Sequence, residues 1–205
     1  MSTHQPYRDN GLDQVYNLLF CDDIDLYRTA VQSKEYPWDV LLAEQPSVDA
    51  LKKVTHDTKL EARQRLLAHR LLHAAESPSS TKELLGVVIE VALEDGPDTL
   101  AAFSDGTARY INHSGKLIIW ESPNTESDEL IENLVAASET VVQQIGKWDE
   151  PRRPFPATGM VRLNFLVSDG LYFGEGPFEV LQSDPMGGPV INAAVQLMSY
   201  LVNQQ

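Results

Sequence analysis

A single cysteine in 205 residues, Cys21, rules out an internal disulfide and fits a reducing compartment, so the sequence predicts a cytoplasmic protein. Long apolar runs are also missing. The greasiest segments, LLGVVIEVAL and VINAAVQLMSYLV, are too short and too interrupted to span a bilayer. The opening MSTHQPYRDNGLDQ carries no apolar h-region, so no secretory signal is expected. Basic residues are scarce, with 16 Lys and Arg against 30 Asp and Glu and a net charge of −14. Such a surface repels phosphate backbones and anionic headgroups, which argues against nucleic-acid and membrane partners. The deficit is uneven. Residues 1–80 hold 9 basic against 12 acidic side chains, residues 81–205 hold 7 against 18, and no Lys or Arg follows Arg162.

Catalytic and metal-binding patterns are missing as well. CDDID lacks the alternating aspartates, glycine and terminal glutamate of a calcium loop, and helix capping accounts for its carboxylates. His69 and His73 stand four apart on one helical face with no evident third ligand, and are expected to be exposed on a polar face. No base is placed beside Cys21 to make it a nucleophile. The expectation is no catalytic residue, no metal and no cofactor.

Glycines crowd into SDGLYFGEGPF (168–178) and recur in MGGP (186–189). A phosphate cradle needs free backbone N–H groups, a helix dipole and usually a cation. This span contains Asp169, Glu175, Glu179 and Asp184 with no Lys or Arg, so the glycines are assigned to turns and a bulge.

What the chain does contain falls into two rhythms. Residues 1–78 read as a helical region. LDQVYNLLF, IDLYRTAVQ capped by Asp22 or Asp23, and YPWDVLLAE are short helices, and a long one runs from about Ser47 to Glu76. ESPSSTKE is the linker. Residues 79–205 read as an antiparallel α+β domain, either separate or sharing one core with 1–78. In ELLGVVIEVAL, Val87, Ile89, Val91 and Leu93 share a face. The two SDG turns mark hairpins, a capping box at Thr125 and Asp128 starts a helix ending at Gly146, PFEVLQ is an optional strand, and Pro189 to Asn203 is the last helix. The order is β-β-β-β-α-β-β-(β)-α, an α+β fold. It is similar in element order to profilin-like and roadblock/longin-type folds.

The last helix is apolar nearly all round, which calls for burial on several sides, either under the N-terminal helices or in a homodimer through Pro189–Asn203. PRRPFP is a stiff connector whose arginines, with Lys147, are expected to pair with Asp149, Glu150 or the acidic surface; a polyproline ligand is the alternative. Glu90 and Arg109 are expected at an edge or facing solvent, with functional charges in a ligand pocket as the alternative. The leading functional reading is a non-catalytic interaction protein for a basic partner protein or for itself. The alternative is a small-ligand protein or enzyme with a pocket between the helical region and the sheet. The candidate ligand or partner surface comprises Tyr110, Trp120, Glu121, Tyr172 and Phe178.

Overall fold

The run Leu84–Leu93 is apolar at nearly every position, and a strand of that kind must be covered on both faces. A computed structural model, which describes residues 4–78 and 81–204, shows how this is done. The strands are β1 (Leu84–Leu93), β2 (Gly96–Phe103), β3 (Ala108–Ile111), β4 (Leu117–Trp120), β5 (Met160–Val167) and β6 (Gly170–Pro177). They form one sheet in the order β4-β3-β2-β1-β5-β6, antiparallel throughout, with β1 central. This is the expected α+β architecture.

Helices cover both faces. On the first lie α6 (Thr125–Val142), α7 (Phe178–Ser183) and α8 (Gly187–Asn203); Ile131, Leu134, Leu197 and Leu201 pack there against Val87, Ile89, Leu163 and Phe165. On the second lie α1 (Asn10–Leu18), α2 (Ile24–Ala30), α3 (Trp38–Leu41), α4 (Val48–His56) and α5 (Ala62–Ala74). There Tyr16, Leu51, Leu66 and Leu67 meet Leu85, Val88, Phe103 and Leu166. A register shift between Leu84 and Gly86 breaks the strict alternation of β1, so Leu84 and Val87 point to one core and Leu85 and Val88 to the other.

Several sequence expectations are corrected. The long helix from Ser47 to Glu76 is two helices, with residues 57–61 between them. The N-terminus of α5 is reached from outside: Asp105 Oδ2, in the β2–β3 turn, accepts from the Ala62 amide at 2.7 Å. Gly106 in that turn has φ +84°, as the SDG hairpin requires. PFEVLQ forms helix α7 rather than a strand. Asn124, not Thr125, caps α6 in a reciprocal pair with Ser127, and the helix ends at Val142, before Gly146.

Helix α8 starts at Gly187, two residues before Pro189. A Cβ on Gly187 would stand 2.9 Å from the Leu181 carbonyl oxygen, and one on Gly188 2.6 Å from that of Gln182. The glycine pair therefore permits the tight α7–α8 corner. Gly170 closes the two-residue β5–β6 turn as expected, whereas Gly174 and Gly176 lie inside β6, paired with β5 in unbroken register rather than in a turn or bulge. Finally, α8 packs on the sheet face opposite the N-terminal helices, so they do not cover it.

Candidate functional site

The second sheet face carries a buried polar row. Thr99, Glu90, Arg162 and Glu175 are cross-strand neighbours on β2, β1, β5 and β6. Glu90 is 0% exposed, which corrects the expectation of an edge position. Strand periodicity sends it away from the first core, and that side is roofed by α1 rather than water. Its carboxylate accepts from the Tyr16 hydroxyl, from Asn164 Nδ2 at 2.8 Å and from Arg162 Nη1 at 3.2 Å. Arg162 Nε reaches Glu175 at 2.6 Å, and Arg153 also faces Glu175 at 3.5 Å. Arg152 donates to Asp22 at 2.8 Å, Tyr16 Oη at 3.2 Å and Asn17 at 2.9 Å, with its guanidinium 3.9 Å from the centre of the Phe20 ring.

Burial raises the Glu90 carboxyl above its ordinary value, opposed by Tyr16, Arg162 and Asn164. Burial pushes the Tyr16 phenol well up as well. Cations and carboxylates alternate along this row, and Glu90 is sealed from solvent. Its chemistry is that of a tie between sheet, helix α1 and connector. The PRRPFP arginines thus pair across the fold. Only Lys147, with Asp149 at 3.2 Å, makes the local pair expected of the connector.

Arg109 is also buried, at 4% exposure. It donates to the carbonyls of Ala108 and Trp120 and pairs with Glu121, the exposed carboxylate at the end of β4. His69 is likewise 4% exposed rather than on a polar face, and neither ring nitrogen has a partner. Burial lowers its pKa to about 4. The Cys21 thiol is buried and pushed up to about 11, which removes its nucleophilic character at neutral pH.

Of the five residues singled out from sequence, Tyr110, Trp120, Tyr172 and Phe178 lie on the first face without converging, and Glu121 is drawn away to Arg109. Tyr110 and Phe178 come together, lining an apolar groove of about 60 Å³ with Val91, Val195 and Met198. The Tyr110 hydroxyl donates to Asp98 at 2.7 Å on the same groove. Trp120 packs edge-on against Tyr200 of α8 at 5.6 Å between ring centres. Tyr172 is buried in the first core, donating to Asp169 at 2.9 Å, with the Lys82 ammonium 4.4 Å above its ring.

Asp98 is the one charged residue of the groove lining, and the helices of this layer carry charge of one sign. Helices α6 to α8 and their joining turn carry Glu126, Asp128, Glu129, Glu132, Glu139, Glu179 and Asp184, and no Lys or Arg. Three valines stand out of this layer into solvent: Val180 at 61%, Val195 at 45% and Val202 at 44% exposure. The periodicity of α8 hinted at this, since apolar residues on nearly every side exceed what one sheet can cover.

A second concavity, about 660 Å³, opens on the opposite side of the sheet. The α1–α2 loop, the last turns of α5, the connector and the β5–β6 hairpin enclose it. Arg70 lies in its wall, with a buried Nε that has no partner; Asp169 Oδ1 is buried and unpartnered as well. Sequence reading passed over Arg70, because nothing local marks one arginine of an amphipathic helix as lining a cleft. No group of three or more His, Cys, Asp or Glu among the described residues is arranged to hold a metal. No helix among them is long and apolar enough to cross a membrane. Set against models of protein families, curated proteins and solved structures, the chain matches none of them.

Proposed function

We propose that this protein is a non-catalytic, cytoplasmic interaction protein that receives a basic, amphipathic partner segment on the face formed by α6, α7 and α8. One observation carries the reading: an apolar groove and three exposed valines set in a helical layer that has seven carboxylates and no cation. Apolar contact surrounded by charge of one sign is how a protein interface combines affinity with selection of its partner. The groove, at about 60 Å³, suits an inserted side chain and is far smaller than the roughly 300–1,000 Å³ of a metabolite pocket. A second copy of the chain fits less well, because a symmetric pairing would set this acidic layer against itself.

The test is fluorescence anisotropy with a labelled helical peptide bearing leucines on one face and lysines on the other. Saturable binding that weakens as salt rises is expected, together with loss of binding in a Val195→Asp variant. A peptide with glutamate in place of lysine should not bind. Equal binding of the two peptides, or binding indifferent to Val195→Asp, would remove the proposal. Sedimentation of the protein alone gives the other occupant its chance: a dimer lost in Val195→Asp would assign the face to self-association.

A further inference from the structure

We propose that the cleft between α5 and the β5–β6 hairpin binds a small amphipathic carboxylate, with Arg70 receiving the anionic end. The inference is independent of the docking face, since the two concavities share no lining residue.

Its basis is the state of the charges in the cleft wall. Arg152 is committed to Asp22, and Lys147 to Asp149. Asp23 caps α2 through the Asp25 amide, and Asp25 holds Arg28. Asp169 uses one oxygen to accept from Tyr172. Arg70 is the only guanidinium or ammonium of the lining with neither a hydrogen bond nor an ion pair among the described residues. A buried guanidinium without partners is costly, and charge-assisted pairing is what would relieve the cost. Burial lowers the Arg70 pKa, while Asp22, Cys21 and Asp169 oppose that shift without bonding to it. As a lining residue with a planar fork of donors, Arg70 suits a carboxylate gripped at two points.

The rest of the cleft shapes the ligand. Phe20, Leu67, Leu71 and Leu171 give it an apolar wall, so the carboxylate should carry an apolar body. At about 660 Å³ the space exceeds what bound water or a bare inorganic anion would fill. A single negative charge suits it better than a phosphate dianion, because the lining holds more carboxylates than cations. The unpartnered Asp169 oxygen offers an acceptor for a hydroxyl or amine on the same ligand.

Isothermal titration calorimetry of the full chain at neutral pH, with 3-phenylpropionate, indole-3-acetate and decanoate as probes, is the test. Phenyl phosphate and 3-phenylpropanol serve as comparisons. At least one acid should saturate one site per chain, while the alcohol binds at least ~10-fold more weakly. Arg70→Gln should weaken the acid by roughly 10- to 100-fold and leave the alcohol unchanged. Should Arg70→Gln misfold, amide shifts of the wild-type protein decide: changes at Leu67, Leu71 and Leu171 support the site. Equal affinity for acid and alcohol, tighter binding of phenyl phosphate, no saturation by any acid, or shifts gathered at Phe178 and Met198 would each overturn it.

Discussion

The two faces of one sheet are built on different physics. Toward α6 and α8 the strands send Val161, Leu163, Phe165 and Val167 into an apolar core that holds no buried charged pair, its buried polar side chains being the α6 hydroxyls of Ser127 and Ser138. Toward the N-terminal helices the same strand sends Arg162 and Asn164, and the neighbouring strands add Glu90 and Glu175. The difference follows the chain. Helices α6, α7 and α8 alternate with the strands they cover, so connectivity places them. Helix α1 lies more than 70 residues from its partner Glu90, and apolar contact alone fixes its position poorly. Directional hydrogen bonds, from Tyr16 to Glu90 and from Arg152 to Tyr16 and Asn17, specify one placement. A buried charged row is weak support for stability but a recognised means of fixing register.

That contrast can be broken from either side. The largest effect is expected from Arg162→Met, which leaves Glu90 buried without its cation and should cost about 3–5 kcal/mol in urea unfolding. Glu90→Gln combined with Arg162→Met should cost clearly less than the sum of the two single changes, because the pair acts as a unit. On the apolar face Leu197→Ala, in α8, should cost about 2–5 kcal/mol and combine additively with Glu90→Gln. Additivity in both pairs would erase the distinction between the faces.

His69 sharpens the picture of the second face through pH. Its folded pKa, about 4, lies below the ordinary 6.5, so the unfolded chain binds the extra proton between those values. His69 should therefore cost no ionisation penalty above about pH 6.5, and should lower stability progressively as pH falls toward 4, by roughly 3 kcal/mol in all. The difference in unfolding free energy between wild type and His69→Leu isolates this from other groups. It should also show the leucine variant about 1 kcal/mol more stable at pH 7, where two unpartnered nitrogens are removed. A difference that does not vary with pH would mean that His69 is solvated. A smaller loss, about 1 kcal/mol, is expected for Asp105→Ala, which strips α5 of the cap supplied by the β2–β3 turn.

Much of this architecture was legible from local pattern. The run at 84–93, the SDG hairpins and the change of rhythm near 78 each rest on neighbours in sequence, and the sheet formed accordingly. Some misreadings arise where a distant partner decides, and others where one local pattern wins over another, as at Asn124 and in 177–182. The break at 57–61 begins a helix with a local Glu61–Gln64 capping box, and Asp105, 43 residues from Ala62, adds a further acceptor. His69 reads as polar-facing only while 47–76 is one helix, and α5 starts afresh after its N-cap Glu61. A helix that packs on both the sheet and α4 also has less free surface than one apolar stripe suggests. Glu90 looked solvent-facing because strand alternation gives two faces but not what lies on the second. Of the candidate site, Tyr110 and Phe178 were reachable as aromatics near turns, whereas Arg70 acquires its setting only when α5, the connector and the β5–β6 hairpin meet.

The docking face is tested most directly by an amide ¹H–¹⁵N spectrum of the full chain titrated with the leucine–lysine peptide. Saturable shifts at Val91, Phe178, Val195 and Met198, with the signals of α1, α2 and α5 unmoved, are the expected result. Shifts spread over both helical layers, or confined to the cleft around Arg70, would contradict it.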